Sequence, residues 1–418
     1  MTTLLAIGDI HLGRLPAALP DELKARQREL GPETAWSRAV TEAINRKVDA
    51  VLLAGDVVER SRDFFVAYGQ LKSGVEKLAT AGIPVVAVAG NHDTHVLPRL
   101  ASEIDSLHLL GAGGRWEQHD IGDIGVLGWS FPRPQVRHSP LDSLPTRKQK
   151  RPLIGLLHCD RDQSNSPYAP VSSSDLEAAP VAAWLLGHIH QPDRLDGKRP
   201  IGYLGSVSAL RASETGPRGP WLIRIEDNQV KASQIPLAPL RFESMSIDAS
   251  TLQTADGLAE LITAAVRERV AELEQSDYFP DVMGLRLVVS GQCNVTDQLP
   301  AAAASLLEDA RSWQEGSIQC FVHRINIETV PHLDLESLAR HADPVGLMAR
   351  RLLDLAEPDT PQWQHLVALG RQRMEPVAGG REFRELDHSL SDQEIAERLI
   401  RAGRMALSQL IAQRELAG

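Results

Sequence analysis

The stretch LLAIGDIHLG, residues Leu4 to Gly13, joins an apolar run to two polar residues. Its first four residues predict a short buried strand, and Gly8 ends that strand. Asp9 and His11 follow directly. Aspartate and histidine are common in turns, so the stretch alone leaves two interpretations open: an ordinary turn, or side chains placed at a strand end for a chemical purpose. The rest of the chain decides between them.

Further runs in the first 240 residues repeat this pattern of a short apolar segment, several of them ended by glycine. They are Ala50–Ala54, Val85–Ala89, Gly125–Trp129, Leu153–Leu157 and Ala183–Leu186. Segments such as PETAWSRAVTEAINRK lie between the first three strands and have the apolar spacing of amphipathic helices. Strands that are apolar on both faces indicate a sheet covered on both sides, and hence an α/β fold.

Composition narrows the class of protein. A chain of 418 residues predicts two or three domains, and 43% hydrophobic residues supply a sizeable core. The sequence has no apolar run of about 18 residues, which excludes a membrane-spanning helix, and the first run lacks the basic start of a secretory signal. Three widely spaced cysteines predict no disulfide framework and fit a reducing cytoplasm.

The net charge of −11 is unevenly distributed. Residues 1–240 hold 27 basic and 27 acidic residues, whereas residues 241–418 hold 17 arginines, no lysine and 28 acidic residues. The whole excess of negative charge therefore lies in the second part. This distribution neither excludes nor supports nucleic acid as a partner.

Polar residues follow four more of the predicted strands. They are Asp56 after VLLAG, then Asn91, His92 and Asp93 after VVAVAG, then His158 after LIGLL, and finally His188 and His190 after AWLLG. In an open α/β sheet, sites are built at the carboxyl ends of the strands. Each motif alone is weak, but five in this order predict one shared site.

The residue types fit phosphoester hydrolysis. Two divalent metals about 3.5–4 Å apart can activate a nucleophile and stabilise phosphate charge. Mixed carboxylate, imidazole and amide ligands suit Mn²⁺ or Fe. Asp56 has two oxygens and can bridge the pair. If the first turn stays extended, Asp9 and His11 point the same way; in a tight turn they can reach two different metals.

The motif order resembles that of the calcineurin-like metallophosphoesterases. Within that superfamily, DIHLG, LAGDVVE, AGNHD, LLGHIH and YLGS resemble the SbcD-type DNA repair nucleases, which pair with an SbcC-type coiled-coil ATPase. The segment LDLESLARHADPVGLMARRLLDL is similar to the YhaO-type bacterial branch. The resemblance covers residues 1–240 well and the remainder more loosely.

The resemblance implies a role for each strand-end residue. One metal would be held by Asp9, His11, Asp56 and His190, and the other by Asp56, Asn91, His158 and His188. His92 would protonate or orient the leaving oxygen, and Asp93 would steady the His92 imidazole. Many members carry Asp or His three residues after the bridging Asp, where this chain has Glu59. Glu59 is either a surface carboxylate or a group over the site that shapes substrate approach.

The predicted fold is α/β: a two-sheet metallophosphoesterase sandwich flanked by helices over residues 1–240, a small α/β capping domain over 241–331, and a helical tail over 332–418. The tail helices are expected around Asp343–Leu355, Gln362–Arg373 and Asp392–Leu416. Ser391 and Glu394 have the spacing of a capping box before the last helix. The apolar stripe of that helix either packs on its own domain or docks onto another protein.

Three functions remain open at this stage. The leading hypothesis is a nuclease that uses two divalent metals, most simply Mn²⁺ with Mg²⁺ or Fe as alternatives. It would act on DNA as a cytoplasmic homodimer, with an SbcC-type ATPase bound to the tail. The alternative is a phosphodiesterase or phosphatase for a small molecule or nucleotide. A scaffold that holds DNA or a partner without cutting is the third.

Overall fold

The computed structural model describes residues 1–60, 63–145, 151–227, 229–308, 312–378 and 390–417. Its strands, β1 to β15 in chain order, are Thr2–Ile7, Ala50–Leu53, Val85–Ala87, Leu107–Leu109, Trp116–Ile121, Ile124–Trp129, Leu153–His158, Ala183–Gly187, Ile201–Tyr203, Trp221–Glu226, Gln229–Gln234, Leu240–Asp248, Val282–Ser290, Trp313–Glu315 and Ile318–Ile327. Its helices, α1 to α10, are Pro32–Asn45, Phe64–Thr80, Val96–Glu103, Ser173–Ala178, Leu258–Leu273, Leu299–Glu308, Leu335–Leu338, Pro344–Ala356, Pro361–Ala378 and Asp392–Ala417. All six strands predicted for the first 240 residues are present.

Two sheets form the first part of the chain. The six-stranded sheet has the order β11-β10-β1-β2-β3-β4, and the five-stranded sheet has the order β5-β6-β7-β8-β9. Strands β1 to β4 run parallel, and so do β6 to β9. The carboxyl ends of β1, β2 and β3 therefore share one edge, and those of β7 and β8 share another. The α/β fold with its two-sheet sandwich is confirmed.

The alternation of side chains along β1 explains why this strand is apolar throughout. Leu4 and Ala6 pack in a core with residues of both sheets, such as Ile154 of β7. Leu5 and Ile7 point the other way and pack with helix residues such as Trp36 of α1. A strand whose two faces both meet a core has no solvent face, and each of these four residues is at most 1% exposed.

The third sheet has four strands in the order β12-β13-β15-β14. The sequence pattern predicts strand, helix, strand, helix, strand over this region, and the structure adds one short strand, β14. It pairs antiparallel with β15 from Trp313–Cys320 to Glu315–Ile318. Three residues are too few to show a period of two, which is why the pattern misses this hairpin.

The chain separates into two compact units. The first comprises Met1–Met245, Val266–Arg286 and Ala310–Arg324; the second comprises Ser246–Ala265, Leu287–Asp309 and Ile325–Gly418. The predicted division into three domains at residues 240 and 331 remains a prediction. Among the described residues, no helix combines the length and apolarity needed to cross a membrane.

The C-terminal helices α8, α9 and α10 confirm the three predicted tail helices. The capping box is present, because Glu394 Oε2 accepts from the Ser391 amide at 2.7 Å while Ser391 Oγ accepts from the Glu394 amide at 3.3 Å. Helix α9 ends later than predicted, since it continues through Pro376 to Ala378. The sequence also predicts a break before the last helix at Pro376, Gly379 and Gly380, and the two glycines lie outside the described residues.

Candidate metal centre

The turns after β1, β2 and β8 share an unusual backbone. Asp9, His11, Asp56 and His188 have φ angles of 40°, 54°, 49° and 103°. Residues other than glycine rarely adopt a positive φ, and the backbone strain of such residues concentrates at functional sites. The first turn is therefore tight rather than extended, yet Asp9 and His11 still belong to one group of side chains.

Glycines next to these turns let the strand ends approach one another. A Cβ atom on Gly90 would lie 2.1 Å from Oδ1 of Asp56, and one on Gly55 would lie 2.6 Å from Nδ1 of His158. Both distances are well below van der Waals contact. The glycines that precede the polar residues thus serve close packing of the site as well as turn formation.

The first group of potential ligands contains Asp9, His11 and His190, whose nitrogen and oxygen atoms lie within 4.8 Å of one another. Nε2 of His11 is 3.0 Å from Nε2 of His190. The Asp9 carboxylate is completely buried and accepts from the His188 amide at 3.0 Å. Asp56 lies beside this group, with Oδ2 4.0 Å from Nε2 of His11.

The second group contains Asp56, Asn91, His158 and His188. Oδ1 of Asn91 lies 3.0 Å from Nε2 of His158 and 3.2 Å from Nδ1 of His188. Oδ2 of Asp56 lies 3.5 Å from Nε2 of His158. Asp56 therefore contacts both groups, as a bridging ligand must.

The ring protons of two histidines lie where a set of divalent-metal ligands requires them. Nδ1 of His158 lies 3.0 Å from the carbonyl oxygen of Ala54, which can only accept, so Nδ1 carries the ring proton. Nε2 of His158 then turns a lone pair towards the Asn91 oxygen. Nδ1 of His190 likewise contacts the Glu214 carboxylate at 2.8 Å, which leaves a lone pair on Nε2 facing His11. Two acceptors that face one another in a buried site, as His158 Nε2 and the Asn91 oxygen do, call for a cation between them.

The buried carboxylates of the cluster also call for a cation. Desolvation, with repulsion from Asp56, raises the pKa of Asp9. The same two causes raise the pKa of Asp93 to about 8. Burial also opposes ionisation of Asp56, but attraction to His158, His11 and His92 outweighs it and lowers the pKa of Asp56. A divalent ion would stabilise all three charged carboxylates, since a bound cation is the largest local charge in such a site.

The two predicted catalytic residues have different surroundings. The His92 side chain is 39% exposed, its Nε2 lies 4.0 Å from Asp56 Oδ2, and its Nδ1 lies 3.1 Å from the Glu59 carbonyl oxygen. Asp93 is fully buried, and its carboxylate accepts from the backbone amides of Val57 at 2.7 Å and Gly90 at 2.8 Å. The expectation that Asp93 steadies the His92 ring is thus corrected: the Glu59 carbonyl holds the ring, while Asp93 joins two of the strand-end loops.

Glu59 is only 9% exposed, so it is not a surface residue. Its Oε2 lies 2.8 Å from Nδ1 of His11, although the approach does not meet the angle of a hydrogen bond. Contact with His11 lowers the pKa of Glu59 to about 2. Of the two interpretations, the structure favours a carboxylate at the site, behind His11.

Sequence reasoning missed two acidic residues behind the predicted histidines. Glu214 contacts His190, and Asp160 Oδ2 lies 3.8 Å from Nε2 of His188. Asp160 follows His158 by two residues and could have been found from that spacing. Glu214 lies 24 residues beyond His190 in a loop, where no periodic pattern marks it. Cys159 is buried and burial raises the pKa of its thiol, which supports an inert thiol rather than a nucleophile.

Comparison with known proteins first defines the class. Residues 2–192 match the calcineurin-like phosphoesterase family. The chain therefore carries a metallophosphoesterase domain, which confirms the resemblance predicted from its motifs, and this domain contains the cluster of potential metal ligands. Residues 242–330 match the middle domain of the metallophosphoesterase YhaO, so this part of the chain is similar to that domain.

Individual proteins are similar to parts of this chain. Metallophosphoesterase YhaO of Bacillus subtilis is 24% identical over 62% of this chain and 66% of its own length. The DNA double-strand break repair protein Mre11 of Haloferax volcanii is 28% identical over 66% of this chain and 60% of its own length. The match thus spans about two thirds of these relatives or less. Among solved structures, a dimetal phosphatase from Danio rerio is 13% identical, with a TM-score of 0.36, over 56% of this chain and 95% of that one.

Proposed function

We propose that this chain is a Mn²⁺-dependent DNA nuclease that hydrolyses phosphodiesters at a two-metal site. The observation that carries the proposal is the pair of ligand groups joined at Asp56, with the lone pair of His158 Nε2 facing the Asn91 oxygen. Asp9, His11, Asp56 and His190 would hold one metal, and Asp56, Asn91, His158 and His188 the other. When bound, such a metal pair supplies a nucleophile at neutral pH and neutralises phosphate charge.

The residues of the chain have separate tasks in this proposal. His92 is the exposed member of the cluster, and the Glu59 carbonyl fixes its ring through Nδ1. Its Nε2 therefore faces the site, where the ring in its imidazolium form, with a proton on each nitrogen, donates the Nε2 proton to the leaving oxygen or orients that oxygen. Glu59 and Asp160 contact ligand histidines and stay behind them. Asp93 holds the loops after β2 and β3 together.

DNA is the proposed substrate because the relative in Haloferax volcanii is named as a DNA double-strand break repair protein. The test is to incubate the purified chain and Mn²⁺ with end-labelled linear DNA, beside bis-p-nitrophenyl phosphate. We expect cleavage of both substrates, stopped by a chelator and absent in Asp56→Ala. Cleavage of the small phosphodiester beside intact DNA would contradict the nuclease proposal and favour a small-molecule phosphodiesterase.

We also propose that the tail binds a coiled-coil ATPase of the SbcC type, as in an SbcCD-like repair complex. Helices α8, α9 and α10 surround an apolar groove of about 1070 Å³. Its walls include Leu352, Leu366 and Leu399, and Leu369 is 46% exposed. A groove of this kind suits the apolar face of a partner helix. In α10 itself, Ile395 packs with residues of α9 and Leu407 with residues of α8, which corresponds to the first of the two alternatives for the apolar stripe of that helix.

A homodimer is the last part of the proposal, and cytoplasmic location stays a prediction. Phe65 is 84% exposed and Val66 is 44% exposed at the start of α2, which provides an apolar surface for a second copy. Light scattering at micromolar concentration should give twice the chain mass of 45.7 kDa. A wild-type mass equal to one chain would contradict the dimer.

A further inference from the structure

A short loop segment, Glu214–Arg218, lies behind His190 in the first unit. Glu214 is 8% exposed and uses both carboxylate oxygens as acceptors. Oε1 lies 2.8 Å from Nδ1 of His190, and Oε2 accepts from the Leu210 amide at 2.7 Å. An ionised carboxylate can only accept, so its contact with His190 places the ring proton on Nδ1.

The same segment also holds the backbone of His190. Arg218 is 1% exposed, and its guanidinium donates to the His190 carbonyl oxygen. It donates further to Oγ of Ser206 and to Oε1 of Gln191, both at 3.0 Å, and to the Glu214 carbonyl at 3.3 Å. Ring and backbone of His190 are thus fixed by residues four positions apart, so the ring has little freedom to turn away from the ligand cluster.

We infer that Glu214 is a positioning residue, which sets the tautomer of His190 so that Nε2 presents a lone pair to the metal. The inference rests on the proposed two-metal site and concerns a residue outside its ligand set. Partners of metal-bound histidines commonly change metal affinity 10- to 100-fold when replaced. Glu59 contacts His11 at the same 2.8 Å but without hydrogen-bond geometry, so Glu59 does not select a tautomer in the same way.

The substitution Glu214→Gln keeps the shape of the side chain but removes its charge and one of its two acceptor atoms. The glutamine amide has one accepting oxygen and one donating nitrogen, whereas both groups that face Glu214 need an acceptor. If the nitrogen faces Leu210, two N–H groups oppose each other. If it faces His190, Nδ1 becomes the acceptor and the proton moves to Nε2, the atom that faces the ligand cluster.

The experiment is a calorimetric titration of Mn²⁺ into the full chain after removal of metals. We expect Glu214→Gln to weaken one of the two Mn²⁺ sites 10- to 100-fold, and Glu59→Gln to weaken binding less. Glu243→Gln is the matched control: Glu243 is also 8% exposed and pairs with Arg241 and Arg269. It should bind Mn²⁺ like the wild type. Unchanged affinity in Glu214→Gln, or an equal loss in Glu243→Gln, would overturn the inference.

The ¹⁵N shifts of the His190 ring in the metal-free chain give a readout that a loss of packing would not produce. The wild type should show the tautomer protonated at Nδ1, and Glu214→Gln should shift it towards Nε2. A wild-type ring protonated at Nε2 overturns the inference even if the variant fails to fold. Mn²⁺ binding and tautomer control without DNA cleavage would refute the proposed nuclease while leaving the role of Glu214 intact. Absence of Mn²⁺ binding by the wild type would refute both.

Discussion

The strand-end cluster and the three-helix tail bury opposite kinds of side chain. The cluster buries the carboxylates of Asp9, Asp56 and Asp93, whereas the tail buries Ile395 and Leu407. Burying charge costs free energy unless a partner compensates it, and burying apolar surface stabilises the fold. The buried carboxylates of the cluster therefore call for a compensating cation, whereas the tail core would be expected in any stable helical unit. Polar burial identifies function more directly than an apolar core does.

The largest expected effects are those of one substitution in the cluster, which affects activity, and one in the tail, which affects stability. Asp56→Ala should abolish metal-dependent phosphodiester cleavage, because the bridge between the ligand groups is lost. The metal-free variant should stay within about 1 kcal/mol of wild-type stability, since the change also relieves repulsion on Asp9 and Asp93. Leu407→Ala in the tail should cost about 2–5 kcal/mol in the free energy of unfolding and leave cleavage unchanged.

Denaturant unfolding with bound-metal analysis checks this pair of variants. Full Mn²⁺ occupancy in Asp56→Ala would show that Asp56 is no bridge. A loss of several kcal/mol in that variant would show that the cluster is built for stability, and the contrast between the two regions would then fail.

His92→Ala tests the division of labour inside the cluster. His92 is exposed and its ring is held by a backbone carbonyl, so its removal should leave both metal sites occupied. Turnover of a phosphodiester should fall about 10²- to 10⁴-fold, the usual contribution of one acid–base group. Metal analysis and turnover on the same sample are the measurements. Loss of metal would make His92 a ligand, and wild-type turnover would leave it without a role.

The sequence predicts the cluster well because each ligand directly follows a strand. Strand ends are visible as apolar runs that stop at glycine, and parallel strands of one sheet bring their carboxyl ends to one edge, which is how Asp9, Asp56 and Asn91 could be grouped in advance. The capping box at Ser391 is equally local. Such features depend on neighbouring residues, and local pattern is what a sequence displays.

What the sequence does not display is tertiary partnership. Glu214 reaches His190 from a loop, and Asp93 joins backbone amides instead of its neighbour His92. Glu214 lies 24 residues from His190, and Asp93 lies 36 residues from Val57, so no spacing rule contains either contact. The groove of the tail is missed for the same reason, since an apolar stripe does not say which of its residues stay uncovered.

The tail groove gives a smaller expected effect, of roughly 10- to 100-fold on partner affinity. Leu369→Glu places a charge in the groove and should weaken binding of a coiled-coil ATPase, because burial of a leucine is worth about 1.5–3 kcal/mol. Leu347→Glu is the matched control: Leu347 is 54% exposed on α8 and is not among the groove residues. Both variants should cleave a simple phosphodiester like the wild type. Equal binding by the two variants would place the docking surface elsewhere.

The last expected effect, similar in size, is the pH dependence of the metal-free cluster. Burial, with repulsion from His158, lowers the pKa of His188 to about 4, whereas an unfolded histidine titrates near about 6.5. Below that value the unfolded chain binds more protons than the folded chain, so stability is lost as the pH falls. Between pH 7 and pH 5 this group should cost about 2 kcal/mol in the free energy of unfolding. His188→Asn should remove that part of the pH dependence of stability, measured by denaturant unfolding of the chain in the presence of a chelator.

The exposed tail residue His365 supplies the control, and His365→Asn should keep the wild-type pH dependence. If His188→Asn keeps it too, His188 is not held neutral by burial, and the contrast between a charge-sensitive cluster and an apolar tail loses one of its supports.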